Sequence, residues 1–183
     1  SDNSAMAAST SHDPFKARLT RKPVHMIVAC SENRVIGRAG TLPWRIKEDL
    51  HYLFEMVKGG VVIEGRRVFD ELKRPYPGTH TIVLSRDPSR TFPGCDKAPD
   101  LDTALRIADS IDGYDTIWIG GGQGLYEEAL PLIDRLYLTL VHTEVPDGDT
   151  FFPEWRKRFT KVVSSRRSTN GKLDYTFLVL EPG

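Results

Sequence analysis

The stretch Thr41-Leu42-Pro43-Trp44-Arg45-Ile46-Lys47-Glu48-Asp49-Leu50 places two carboxylates at the start of an apolar helix, and this is where chemistry is expected. Pro43 fixes its own φ and biases Leu42 away from helix, so the loop persists to about there. Beyond it Ile46, Leu50, Leu53, Phe54 and Val57 recur at helical spacing and make one apolar face. Asp49 precedes Leu50 by about 100° of rotation and stands at the margin of that face. A carboxylate so placed is either a half-solvated surface acid, the commoner case for Asp, or an acid held in a cleft. In a cleft it can accept paired hydrogen bonds or assist a proton transfer.

Three other stretches are suited to phosphate. The run Gly120-Gly121-Gly122-Gln123-Gly124 lies between an apolar run and a helix, where exposed N–H groups can reach an anion. It does not have the G-x-G-x-x-G spacing, and a plain tight turn explains it as well. Gly65-Arg66-Arg67 and Ser85-Arg86 each follow an apolar run, and their arginines are either solvated or grip a phosphate monoester. Gathered at one sheet edge, the three favour a nucleotide with a diphosphate and one further phosphate.

The elements that must gather them alternate. Val24 to Cys30, Val61 to Ile63, Thr81 to Leu84, Thr116 to Ile119 and Asp134 to Val141 read as strands. Helices are expected from Ile46 to about Lys58, from Gly65 to Leu72, from Leu101 to Ile111 with Asp100 as cap, and from Leu125 to Leu130. Thr91 to Pro99 is irregular, with room for a short strand. Lys161 to Arg167 and Leu173 to Leu180 flank an Asn170-Gly171 turn and predict a hairpin. The expectation is a single-domain α/β fold over residues 23–183 with a mainly parallel sheet and an antiparallel C-terminal hairpin. Ligands on such sheets bind at the carboxyl ends of the strands. Residues 1–22 lack periodicity and are expected to be a mobile tail, its first residues an expression remnant.

Composition narrows the field. The 183 residues carry 25 basic and 25 acidic side chains, so no net field points to nucleic acid or an anionic membrane. No apolar run approaches the roughly 20 residues of a membrane span, and no apolar signal core opens the chain. Cys30 and Cys95 do not make a disulfide framework, and the five histidines offer no metal-binding pair. A cytoplasmic monomer with free thiols, no metal and a small-molecule substrate is expected.

Taken together, the residues resemble the dihydrofolate reductase family, of the bacterial type. The resemblance is carried by Val28-Ala29 through Arg34-Val35-Ile36-Gly37, Leu42-Pro43-Trp44, Asp49-Leu50, Gly65-Arg66, Pro75, Pro77-Gly78 and Leu84-Ser85-Arg86. It continues through Ile119-Gly120-Gly121-Gly122, Tyr126, Leu136-Tyr137-Leu138-Thr139 and Gly148-Asp149-Thr150-Phe151-Phe152-Pro153, so that it covers about residues 24 to 181. It implies an eight-stranded sheet and NADPH-dependent reduction of 7,8-dihydrofolate to tetrahydrofolate. Asp49 would then pair with the pterin N3–H and 2-amino group, its pKa raised by burial. Thr139 would bond Asp49, and Trp44 would hold a water near it. Glu48, the competing acid, matches no family position with a role.

By the same resemblance, Ile27 and Ile119 would turn carbonyls to the pterin, beside Val28 and Ala29. Leu50, Leu53 and Leu72 would wall the aminobenzoyl ring. Ala29, Ile36 and Gly37 would line the nicotinamide, with Leu42 at the end of a mobile lid begun by Arg38. Gly121, Gly122, Gln123, Gly124, Leu125 and Tyr126 would cradle the diphosphate and nicotinamide, with a cis peptide at Gly120-Gly121. Arg66, Arg67 and Arg86, with Gly65, Leu84 and Ser85 around them, would read the 2′-phosphate.

The chain also departs from the family pattern. Thr79 stands where the family has an arginine that clamps the substrate's α-carboxylate, and Arg74 is the nearest substitute. Val68 stands where a helix-start Thr normally meets the diphosphate, and only its backbone N–H remains. The glycine loop has one extra residue before Tyr126, and Glu64 replaces a strand Met. Two further functions therefore stand beside dihydrofolate reduction. One is an NADPH-dependent reductase of a pterin or pyrimidine without the glutamate tail; the other is a non-catalytic NADPH-binding module.

Overall fold

A computed structural model describes residues 20–37 and 42–183. Residues 1–19 of the expected tail and residues 38–41 of the expected lid lie outside the described residues; residues 20–22, also expected to be mobile, are held in place, with the Arg21 and Lys22 backbone N–H groups donating to Asp109 Oδ1 at 2.9 and 3.0 Å.

The apolar runs become the middle of an eight-stranded sheet. Its strands are β1 (Val24–Ser31), β3 (Val61–Gly65), β4 (His80–Leu84), β5 (Asp96–Ala98), β6 (Ile117–Ile119), β7 (Arg135–Val141), β9 (Lys161–Thr169) and β10 (Asp174–Glu181). They lie in the order β5-β4-β3-β6-β1-β7-β10-β9. β1, β3, β4, β5, β6 and β7 pair in parallel, whereas β10 is antiparallel to both β7 and β9. Strands buried on both faces need apolar residues without alternation, and this is why β1, β3 and β6 read as continuous runs. A small antiparallel pair, β2 (Val35–Gly37) with β8 (Thr150–Phe151), sits apart from the sheet.

Four α-helices among the described residues cover the sheet. They are α1 (Lys47–Val57), α2 (Arg66–Leu72), α3 (Leu101–Ser110) and α4 (Gln123–Ala129). The two faces hold separate cores. Met26, Ile63, Ile82 and Leu138 pack with Leu101, Leu105, Leu125 and Ala129 on the α3–α4 side. Ile27, Val62 and Trp118 pack with Val57, Tyr76, Leu53 and Phe54 on the α1 side.

The helix ends differ in how they are held. Asp100 caps α3 as expected, accepting a bond from the Thr103 backbone N–H at 2.7 Å. α4 starts at Gln123, two residues before the predicted Leu125, so Gly124 lies in its first turn rather than ahead of it. Burial of Leu125, Tyr126 and Ala129 holds this short helix, and Gly124 is carried at an exposed position of its first turn. The Asn170-Gly171 turn is present as a four-residue loop. The Asn170 side chain accepts bonds from the N–H groups of Lys172 and Leu173 at 2.9 and 2.8 Å, and Gly171 supplies a φ of 89°.

Candidate active site

β4, β3, β6 and β1 are neighbours, and their carboxyl ends open onto one cleft of about 780 Å³. Each strand contributes a loop or a helix start to the cleft wall, as expected where strand order reverses in an α/β sheet.

Asp49 enters this wall from the first turn of α1. The same turn leans on β7, where the Thr139 hydroxyl donates to Asp49 Oδ1 at 2.6 Å. Thr139 is buried and stands in register with Ala29 on β1 and Phe177 on β10. Burial raises the Asp49 pKa above its ordinary value; the Thr139 bond opposes this and the nearby Glu48 charge adds to it. Asp49 is thus the cleft acid of the two readings left open by the sequence.

The apolar face of α1 divides between core and cleft. Val57 is buried, whereas Leu50, Leu53 and Phe54 line the cleft, with Leu50 53% exposed. An apolar side chain this open at a cleft wall marks a ligand surface rather than a core position. Leu72 and Tyr76 face them from α2 and the turn after it.

Ile27, Val28 and Ala29 on β1, Ile36 and Gly37 on β2, and Leu42 form the centre. The Ile27 carbonyl accepts a bond from the Tyr126 hydroxyl at 2.9 Å, which leaves one lone pair for a ligand. Arg34, with φ 65°, turns the chain into β2, and β2 is held by β8.

The glycine run closes the other end. Gly121 has φ 103°, and a Cβ there would meet the Tyr126 hydroxyl at 2.9 Å, so no other residue fits. Gly121 also accepts a bond from the Gly65 N–H at 2.7 Å, which ties the ends of β3 and β6 together. A Cβ at Gly122 or Gly124 would meet nothing within 4 Å; bare backbone faces the cleft there. The cis peptide bond is Gly121-Gly122, one residue later than expected.

Gly65, Arg66, Arg67, Val68 and Leu84 line the same end, with Gln123 and Leu125. Arg66 also borders a second hollow of about 390 Å³, whose other walls are Ser85, Arg86, Asp87 and Arg90. Ser85 and Arg86 therefore meet Arg66 outside the main cleft. Arg90 adds a third cation, although it is paired with Asp70.

Besides Ser85 and Arg86, four expected site residues do not form the cleft wall. Ile119 is fully buried in β6, paired with Met26 and Ile63. Trp44 is buried among Val35, Ile46, Val141 and Tyr175, and it braces the loop rather than lining the opening. Thr139 acts through Asp49. Arg74 is exposed and lies off the wall because α2 ends at Leu72 and Lys73 turns left-handed, with φ 64°.

Other wall residues were not assigned to the site from the sequence: Phe54, Glu71, Tyr76, Glu128 and Thr150. Phe54 and Tyr76 carried a signal, an apolar helix position and an aromatic between two prolines. Glu71 and Glu128 carried none, since a glutamate on a short helix reads as solvated surface.

The model of the family described as dihydrofolate reductase matches residues 23–182. Dihydrofolate reductase type 3 of Salmonella typhimurium is 40% identical over 132 residues, covering 72% of this chain and 79% of that protein. Dihydrofolate reductase of Bacillus subtilis (strain 168) is 35% identical over 161 residues, covering 86% of this chain and 94% of the relative. Among solved structures, dihydrofolate reductase from Enterococcus faecalis, complexed with NADP(H) and RAB-propyl, superposes with a TM-score of 0.79 at 29% identity. That match covers 90% of this chain and 98% of the other. With the parallel sheet, the cleft at its carboxyl edge and a match that spans almost every described residue, the chain belongs to the dihydrofolate reductase family.

Proposed function

We propose that this chain reduces 7,8-dihydrofolate to tetrahydrofolate with NADPH, and that Asp49 orients the pterin for the reaction. The observation that carries the site assignment is the Asp49 carboxyl itself, set on the cleft wall with a raised pKa and fixed by Thr139. Two parallel oxygens match the side-by-side N3–H and 2-amino donors of a pterin, and charge-assisted pairs of this kind are strong and directional.

The residues at the other end fit NADPH. Bare backbone at Gly122 and Gly124 suits a diphosphate, and the hollow between Arg66, Ser85 and Arg86 suits a 2′-phosphate. When bound, the cofactor supplies the hydride that reaches pterin C6. The chain's own part is to hold and shield. The β1 residues Ile27 to Ala29 and the Leu50–Leu53 wall fix the pterin and aminobenzoyl rings in a low-dielectric slot. Asp49 governs the protonation at N5 through orientation and electrostatics, with water as the proton carrier.

Arg86→Ala should raise the KM for NADPH by about ten- to a hundredfold and leave that for NADH unchanged, since a charge-assisted phosphate bond is worth roughly 1.5–3 kcal/mol. Steady-state rates with both cofactors check this. Equal loss with NADH and NADPH would remove Arg86 from phosphate reading.

The glutamate tail of the substrate is held weakly. The Thr79 hydroxyl donates to the Tyr76 carbonyl at 2.7 Å and lies 3.1 Å from the Thr81 hydroxyl, so it is engaged within the turn. Among the described residues, the only cations on the cleft wall are Arg66 and Arg67 at the cofactor end, whereas Glu71 stands beside Leu72. This favours the second reading in one respect: a tail-less pterin or pyrimidine loses nothing here. NADPH oxidation with dihydrofolate and with dihydropteroate separates the two. A clearly higher kcat/KM for dihydrofolate supports the first reading, and equal values support the second. Thr79→Arg should lower the KM for dihydrofolate about tenfold and leave dihydropteroate unaffected.

The chain works as a cytoplasmic monomer without nucleic acid in this reading. Cys30 and Cys95 are free thiols, and no helix among the described residues is long and apolar enough to cross a membrane.

A further inference from the structure

α1 begins without a side-chain cap. Ile46 occupies the cap position in an extended conformation and makes no capping bond, yet the first turn carries Asp49. Another residue fastens it. Glu48 Oε1 accepts from the Ser168 hydroxyl at 2.6 Å and from the Tyr175 hydroxyl at 2.7 Å, and Oε2 accepts from Arg166 Nη1 at 3.1 Å. The donors come from β9 and β10, more than a hundred residues away along the chain.

These donors are themselves fixed. Tyr175 is 1% exposed and packs with Trp44 and Ile46, the residues that lead into α1. The Arg166 guanidinium lies over the Phe177 ring at 4.4 Å, and that ring packs on Tyr52 of α1 at 4.5 Å. Phe177 stands in register with Thr139, the partner of Asp49. Adjacent residues of one helical turn are thus bonded to the three neighbouring strands β7, β10 and β9. Asp49 holds the inner strand, and Glu48 holds the outer two.

We propose that Glu48 is a positioning residue for the reduction: by bonding Ser168, Tyr175 and Arg166 it fixes the first turn of α1 and so sets where the Asp49 carboxyl meets the substrate. This rests on the assignment of Asp49 above. Through-space effects accompany the tether. The groups around the two carboxyls are Tyr52 on α1, Thr139 on β7, Arg166 on β9, Tyr175 on β10 and Tyr126 on α4. Among them the Glu48 charge pushes the Asp49 pKa upward, and the three bonds keep Glu48 itself ionised to lower pH than usual.

Glu48→Ala and Glu48→Gln test the two components. Glu48→Ala should lower kcat/KM for dihydrofolate about tenfold and leave the NADPH dissociation constant unchanged. Its alkaline loss of activity should begin at a lower pH than in the parent, since a like charge has left Asp49. Glu48→Gln keeps acceptors for Ser168 and Tyr175, so it should restore kcat/KM at the pH optimum to within about twofold of the parent while keeping the displaced alkaline limb. The inference is overturned if Glu48→Ala leaves both kcat/KM and the pH limb unmoved, or if NADPH affinity falls by the same factor. Should Glu48→Ala not fold, an unmoved limb in Glu48→Gln overturns it. Asp49→Asn in the same assay separates the two levels: full activity there sinks the site assignment, whereas an inactive Asp49→Asn with a silent Glu48→Ala sinks the tether alone.

Discussion

Replacing Asp49 by Asn leaves a folded, NADPH-binding protein whose turnover of dihydrofolate at pH 7 falls by about a hundredfold or more, the scale at which positioned acid groups act. The fold should tolerate the change because an amide oxygen still accepts the Thr139 hydroxyl bond that measures 2.6 Å in the parent. What is lost is the charge. An amide offers one acceptor and one donor to a ligand that presents two donors, so one contact becomes a clash of N–H groups. The pH dependence carries a sign. The reduction takes up one proton, and Asp49 is the acid of raised pKa on the cleft wall. Parent activity should therefore fall as pH climbs through that raised value, and this limb should flatten in Asp49→Asn. NADPH titration and a kcat/KM profile from pH 5 to 9 measure both properties. Unchanged turnover would remove Asp49 from the chemistry.

The second large effect concerns stability rather than catalysis. Glu64 sits on β3 between β4 and β6, 1% exposed, and neither carboxyl oxygen has a hydrogen-bond partner among the described residues. Burial, helped by the charge of Glu71, pushes its pKa from 4.5 up to about 8. The native state therefore keeps a proton that the unfolded chain releases above pH 4.5. Stability is highest below that value and declines as pH rises toward 8, by about 3–4 kcal/mol between pH 5 and 8. Glu64→Met removes both the ionisation and the unpaired polar group. It should stabilise the protein by about 1–3 kcal/mol at pH 5, and by about 3–4 kcal/mol more at pH 8. Urea midpoints at the two pH values give the answer. An equal gain at both would mean that Glu64 finds a partner and stays ionised.

The two carboxylates differ in purpose. Asp49 is raised at a cleft wall where a ligand can meet it, and Glu64 is raised beneath the sheet surface where none does. Perturbed acids mark functional sites only when geometry agrees. Glu64 also lies one residue from Gly65, whose N–H bonds Gly121, so its cost is borne beside the cofactor end of the cleft.

What the sequence determined by itself was local. Continuous apolar runs marked β1, β3, β4, β6 and β7, because a strand buried on both faces has no polar side to show. Asp100 marked a helix start and Asn170-Gly171 a turn, because each requires its own side chain or φ there. Glycines and arginines after successive strands marked the cofactor end, since a parallel sheet delivers strand ends to one edge. The family pattern added Asp49 and its Thr139 partner. Tertiary structure decided what depends on contacts between distant segments. Thr79 is spent on its own turn, and Arg74 is carried off the wall by the left-handed Lys73. The cis peptide bond lies at Gly121-Gly122, one residue beyond the expected position. Glu71 and Glu128 reach the cleft from helices too short to show a face. Glu48, without a role in any local pattern, finds Ser168 and Tyr175 only because β7, β10 and β9 stack in that order beside α1. A side chain's neighbours along the chain fix its backbone, but its bonding partners are set by which strands lie side by side, and that is a property of the whole sheet.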